Sequence, residues 1–218
     1  MIFTDRTDAG RRLAEVLATD PDLARTGRTA VLAVPRGGLP VALEVAARLG
    51  VPLDVAVARA LRAPHDPDVS FGAVAADGHV EIDKAAVDRL RLGLAEVEAE
   101  VDDRRRRIDV LTAPLRKVID PVDLTDASVI VVDDGIASGT TARLACDMAR
   151  RAGAGKVILA VPVAAADAEE HLQGAADRII VLTSPPEFLA VSQAYQAYPA
   201  LRDEDVLALL TPGTLVAG

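Results

Sequence analysis

Residues 129–141 read Val-Ile-Val-Val-Asp-Asp-Gly-Ile-Ala-Ser-Gly-Thr-Thr, and no other stretch restricts the fold so tightly. Four β-branched residues in a row, with no polar alternation, make a strand covered on both faces, which is the habit of parallel sheets. Asp133 and Asp134 then fall at its C-terminal end, where ligands collect in open α/β sheets. Gly135 and Ile136 lead into a loop of small residues, Ala137, Ser138, Gly139, Thr140 and Thr141, and a helical pattern starts near Thr140. Such a loop can turn several backbone N–H groups toward one phosphate, helped by the positive end of the helix dipole. Two carboxylates beside an anion cradle suit a ligand with a phosphate at one end and a diol or bound cation at the other. A sugar phosphate has that form. The alternative is a plain strand–turn–helix corner in which the Asp pair caps the helix.

Around this unit, apolar runs and helical patterns alternate. Buried strands are expected over 29–34, 53–58, 156–163 and 178–182, and helices over about 7–17, 40–49, 140–152, 166–174 and 203–210. Residues 59–70 are rich in Pro, His and Asp and read as a mobile loop, while 71–82 alternate about Asp77-Gly78, a strong hairpin signal. Residues 84–111 are helical in composition, interrupted near Gly93, and 114–125 return to the sheet irregularly. The fold class is therefore α/β, with a mostly parallel central sheet flanked by helices and a hood made by the hairpin and tail. A single domain is expected over 1–218: core about 28–62 and 126–183, flexible loop and hairpin 59–82, helical insertion 84–117, tail 184–218.

Composition narrows the function. Aromatic residues are 2% of a chain that is 50% hydrophobic, so Ala, Val, Leu and Ile must build the core. A net charge of −9 argues against nucleic-acid binding, which needs a basic face. The four consecutive arginines at 104–107 sit among Glu96, Glu98, Glu100, Asp102 and Asp103, as expected for a solvated, ion-paired helix face. No run reaches the roughly 18 apolar residues of a membrane span, and the N-terminus lacks a signal-peptide pattern. A lone cysteine, Cys146, fits a reducing cytoplasm and reads as a buried filler rather than a nucleophile. His65 and His79 fall in presumed turns and His171 on a late helix, whereas Tyr195 and Tyr198 are expected to anchor the tail.

A second turn, Val34-Pro35-Arg36-Gly37-Gly38, closes the first buried strand. Its glycines allow close backbone approach, and Arg36 offers a planar cation to phosphate. Arg59 and Arg62 follow the second strand and are either further phosphate contacts or solvated residues.

Together the two turns resemble those of type I phosphoribosyltransferases. The resemblance implies that Asp133 and Asp134 hold the ribose hydroxyls of phosphoribosyl pyrophosphate (PRPP), and its Mg²⁺ indirectly. It also implies that Gly135, Ala137, Ser138, Gly139, Thr140 and Thr141 hold the 5′-phosphate, and that Pro35, Arg36, Gly37, Gly38 and Arg59 face the pyrophosphate. Asp133, Asp134 and Arg36 carry the catalytic roles in this scheme, and a cis bond between Pro35 and Arg36 is implied as well. Over nearly its whole length the chain is similar to bacterial phosphoribosyltransferases of unassigned acceptor. The shared features are Asp-Ala-Gly-Arg-Arg-Leu-Ala at 8–14, Gly-Ala-Val-Ala at 72–75, Pro186-Glu187-Phe188 and Asp203-Glu204-Asp205-Val206. It departs from that group at Ala60, where the group usually carries Lys, and its first lysine is Lys84. Ala137 replaces the Asp that handles the purine proton in hypoxanthine–guanine-type members.

The resemblance implies a cytoplasmic, homodimeric enzyme that uses Mg-PRPP to ribosylate a nitrogen nucleophile and releases pyrophosphate. Its partners would be small molecules, PRPP and an acceptor, with neither nucleic acid nor membrane. A PRPP-binding regulator without transfer activity is the alternative.

Overall fold

In a computed structural model of the chain, the buried apolar runs assemble into one five-stranded, all-parallel sheet. The structure describes residues 2–21, 23, 27–166, 168 and 172–211, without the side chains of Pro67 and Asp68. The sheet strands are β1 (Thr29–Ala33), β2 (Leu53–Val55), β6 (Ser128–Val132), β7 (Lys156–Val163) and β8 (Arg178–Thr183). Their spatial order is β2-β1-β6-β7-β8. Val31 pairs in register with Leu53 on one side and Ile130 on the other.

Because β1 sends the chain one way to β2 and β6 sends it the other way to β7, the strand order reverses between β1 and β6. A crevice opens at the carboxyl ends of strands at such a switch point, and both informative turns lie there.

Helices cover both faces. Helices α1 (Arg6–Ala18) and α2 (Gly38–Leu49) pack on one, with Leu13, Leu17, Val41 and Val45 essentially fully buried. Val16 on α1 is 45% exposed. The α1 helix begins at Arg6, slightly before the expected start near residue 7, because Asp5 caps it: Asp8 N–H donates to Asp5 Oδ1 at 2.8 Å. Helix α5 (Thr140–Arg151) lies on the opposite face and buries Ala142, Leu144, Ala145, Cys146 and Ala149. Burial pushes the Cys146 thiol up to about 12, so it is a packing group and not a nucleophile.

One expectation is corrected. Residues 59–70 are not a loop but most of a hairpin: β3 (Ala58–Ala63) and β4 (Asp66–Ala75) pair antiparallel, and β5 (Val80–Ile82) extends them to three strands. Both faces of the hairpin are packed, Ala58, Ala73 and Ala75 against Leu144 of α5 and Leu61, Phe71 and Val74 against the main core. With no polar face the strands show no alternation, and the Pro, His and Asp that suggested a loop cluster about the tight turn. The expected turn at Asp77-Gly78 is present, joining β4 to β5.

The long helical segment divides into α3 (Lys84–Leu90) and α4 (Leu94–Leu115), parted where Arg91 takes a left-handed conformation and Gly93 caps α4. The tail returns across the site through a 3-10 turn, Val191–Ala194, and ends in α6 (Asp203–Leu210). The helix expected over 166–174 falls partly outside the described residues, and His171 lies outside them. Among the described residues no helix is long and apolar enough to cross a membrane.

Candidate active site

The turn after β1 reaches the end of β6 through backbone contact. Val34 N–H donates to Val132 O at 2.8 Å, and the Pro35–Arg36 peptide is cis. A Cβ on Gly37 would stand 2.0 Å from Asp134 Oδ2, and one on Gly38 would stand 2.6 Å from Val132 O. The two glycines therefore satisfy a requirement for space, because only a residue without a side chain lets the turns touch.

Beyond the acidic pair, Ile136 is stitched to β7 by bonds to Val163 O and from Ala165 N–H, which fixes the start of the small-residue loop. Gly139 has φ of 76° and delivers the chain into α5. Ala137 and Ser138 are exposed, and Gly139, Thr140 and Thr141 partly so. Among the described residues, the N–H groups of Ala137 to Thr141 find no protein acceptor; the Gly139 carbonyl accepts from Arg143 N–H at 2.8 Å, and the Ser138 and Thr140 hydroxyls lie 3.4 Å apart. A run of unpaired donors at a helix N-terminus suits an anion.

The two carboxylates are not equivalent. Asp134 is buried, and its Oδ2 accepts from Arg6 Nε at 2.7 Å and from the Tyr198 hydroxyl at 2.8 Å. Tyr195 donates to the Asp134 carbonyl at 2.5 Å, and Arg6 stacks 3.8 Å above the Tyr198 ring while donating to Pro199 O. Burial acts against the Arg6 charge, yet the Asp134 contact outweighs it and holds the guanidinium above its ordinary range. Burial together with the Asp134 charge also raises both tyrosines, which stay neutral donors. Asp133 is only half-buried: Oδ1 accepts from Asp134 N–H at 2.8 Å, and Oδ2 has no hydrogen-bond partner among the described residues. Desolvation, then the adjacent Asp134 carboxylate, pushes Asp133 well above the usual carboxylate range.

Across from the small-residue loop lies an open cleft of about 270 Å³, lined by Arg36, Arg59, Arg62 and Arg104, with Pro35 and Thr141 linking it to the two turns. Arg59 is largely buried, and desolvation, reinforced by nearby Arg36 and Arg104, lowers its pKa against the pull of Asp203. Four guanidiniums in one recess of an acidic protein make a focused positive site.

Arg104 was expected on an ion-paired face. It is paired there, with Glu100 at 2.7 Å, but it also lines the cleft. His65 and His79 are exposed and stand apart from these groups. Sequence reasoning missed Arg6 and Asp203. Neither belongs to a contiguous motif: Asp203 opens a segment that the similar bacterial proteins share, and Arg6 lies just before another such segment, at 8–14.

A family model described as the phosphoribosyl transferase domain matches residues 4–193. The chain belongs to this family. A Mycobacterium tuberculosis protein provisionally named a phosphoribosyl transferase is 40% identical over 209 residues, covering 96% of this chain and 46% of that protein. Its counterpart in a second strain of that organism aligns equally well. The chain thus spans about half the length of the curated relatives it matches. The crystal structure of TT1426 from Thermus thermophilus is 35% identical, with a TM-score of 0.78, and covers 96% of this chain and 98% of that one. That of AQ2163 from Aquifex aeolicus, at 10% identity and a TM-score of 0.50, covers 81% and 73% and shows the fold alone.

Proposed function

We propose that this phosphoribosyl transferase family member binds PRPP at the switch-point crevice and transfers its phosphoribosyl group to a nitrogen nucleophile, releasing pyrophosphate. One observation carries the reading: the loop of unpaired N–H groups at Ala137 to Thr141 meets the arginine cleft of Arg36 and Arg59 at Thr141, and Asp133 ends the strand that leads into that loop at the switch point. A ligand with a phosphate at one end, a diol in the middle and a diphosphate at the other meets complementary chemistry in that order.

Asp133 is the carboxylate assigned to the ligand, through its unpartnered Oδ2, while Asp134 is assigned a supporting part because its carboxylate is taken up by Arg6 and Tyr198. Asp133 Oδ2 also suits a Mg²⁺ ion brought in with PRPP. Among the described residues no cluster of three or more His, Cys, Asp or Glu side chains forms a cage for the ion. When bound, the ion neutralises diphosphate charge and so makes pyrophosphate a better leaving group.

The chain's own share is positioning and electrostatics. The loop amides fix the 5′-phosphate, Asp133 orients the ribose, and Arg36 and Arg59 stabilise charge that accumulates on the diphosphate as the C1–O bond breaks. The acceptor nitrogen donates its lone pair to C1 as the C1–O bond breaks, and its proton passes to the departing pyrophosphate or to solvent, while β3 holds Arg59 at the cleft.

A PRPP-binding regulator is the second reading. It is favoured by Ala60 in place of the usual lysine and by the carboxylate of Asp203 lying against both arginines. Both readings expect calorimetric binding of PRPP. Pyrophosphate release with a panel of nitrogen acceptors separates them, and failure to bind PRPP at all would overturn both.

A further inference from the structure

The ground between the two cleft arginines is already held by an anion from the chain itself. Asp203 Oδ1 lies 3.2 Å from Nη2 of Arg59 and 3.9 Å from Nη1 of Arg36. Among the described residues no other carboxylate comes within 4.0 Å of either guanidinium. Arg59 needs such a counter-ion, for its side chain is only 17% exposed and faces like charges on Arg36 and Arg104.

Asp203 is the first residue of α6, and that helix is pinned by Val206 and Leu210, which are 0% and 1% exposed. Its own side chain is 34% exposed, so it can rotate into solvent while the helix stays docked. A carboxylate bridging two guanidiniums has the charge sign and the oxygen geometry of one phosphate of a diphosphate. The two anions cannot share the place, since like charges about 4 Å apart repel strongly where water is scarce.

We infer that Asp203 is an intramolecular stand-in for the diphosphate: it holds Arg36 and Arg59 in position in the empty site, yields them when ligand enters and reclaims them as pyrophosphate leaves. The inference rests on the assignment of Arg36 and Arg59 to the diphosphate. It adds a residue that no contiguous motif contains, contributed by the C-terminal helix and not by the sheet.

The test is calorimetric titration of inorganic pyrophosphate, with Mg²⁺ present, into wild type, Asp203→Asn, Asp203→Ser, Glu204→Gln and Arg59→Gln. Glu204 is 77% exposed and, among the described residues, pairs only with Arg202, so Glu204→Gln controls for net charge. Wild type should bind, and Arg59→Gln should bind at least about tenfold more weakly, the scale of losing one charge-assisted contact. Asp203→Asn and Asp203→Ser should both bind roughly tenfold more tightly, with Glu204→Gln within about twofold of wild type. If Arg59→Gln weakens binding but both Asp203 variants bind equally well or worse than wild type, Asp203 is a brace and not a stand-in, and the inference is overturned while the site stands. If Arg59→Gln binds as wild type does, or wild type binds no pyrophosphate, the site assignment falls and the inference with it.

Discussion

At one end of the crevice, residues 137–141 present main-chain N–H groups from a single unbroken loop, and their side chains make almost no contacts. At the other end, Arg6, Arg36, Arg59, Asp134, Tyr198 and Asp203 converge from helices, turns and tail, held by side chains that pair with one another. The first end is backbone chemistry and is nearly independent of side-chain identity, provided the residues are small. The second depends on particular charges kept out of water, so its stability and its binding function are bound together. The comparison predicts that substitutions at the clamp formed by Arg6, Asp134 and Tyr198 destabilise, those at its seam with the Gly37 turn distort, and those on the ligand face change affinity alone.

The largest effect should follow Arg6→Met. The Arg6 and Asp134 side chains are each 8% exposed, so the variant strands a buried carboxylate. Breaking a buried pair from one side costs about 3–5 kcal/mol, and the remaining Tyr198 bond places this loss near the lower figure. Urea denaturation measures it, and a loss below about 1 kcal/mol would mean the clamp is ornamental. Adding Asp134→Leu should recover much of the loss, because no charge is then left unpaired.

Next comes Gly37→Ala, at the seam between the two turns. Gly37 has φ of −63°, which any residue adopts, so the demand for glycine there is steric alone. The added methyl would meet the Asp134 carboxylate at 2.0 Å, against the network that anchors it. Overpacking of this kind costs about 1–3 kcal/mol, and pyrophosphate affinity should fall with stability, since Arg36 shares the displaced turn. A stable variant with wild-type affinity would show that the turns are not coupled.

These contrasts explain what was legible in the sequence. The parallel sheet was readable because Val129–Val132 and its companions are unbroken apolar runs, and α6 because its periodicity is local. The β3–β4 hairpin was not, since Ala58 and Ala73 pack on one face and Leu61 and Phe71 on the other, which leaves no alternation to read. At the site, the small-residue loop and the Gly-Gly turn were visible because their chemistry is contiguous. The clamp was invisible for the opposite reason: Arg6 and Asp134 are 128 residues apart, and nothing near Arg6 marks it as the partner of a buried acid. The adjacency of Asp133 and Asp134 even suggested a shared role. Successive residues at a strand end point opposite ways, which sends one carboxylate to the ligand side and the other into the clamp.

Asp133→Asn should separate those two roles. The amide oxygen can still accept from Asp134 N–H, so the urea midpoint should stay at the wild-type value. PRPP affinity should fall at least about tenfold, consistent with losing a charge-assisted contact of about 1.5 kcal/mol. Asp134→Asn should do the reverse, lowering stability by weakening the Arg6 contact. If Asp133→Asn bound PRPP normally, Asp133 would not be the ligand-facing acid.

The smallest effect should come from Ser138→Ala, at the centre of the small-residue loop. Ser138 is exposed, and its hydroxyl has one weak contact, to Thr140 Oγ1 at 3.4 Å. If the cradle is the main chain, the substitution removes one optional hydroxyl donor and leaves every N–H in place. A neutral, solvent-exposed hydrogen bond is worth about 0.5 kcal/mol, so phosphate affinity should change by less than about threefold. Gly139→Ala on the same loop should be worse, because alanine resists the φ of 76° that aims the neighbouring N–H groups. The order of the two variants therefore decides the matter: a Ser138→Ala loss larger than that of Gly139→Ala would move phosphate recognition from backbone to side chain, and the contrast between the two ends of the crevice would fail.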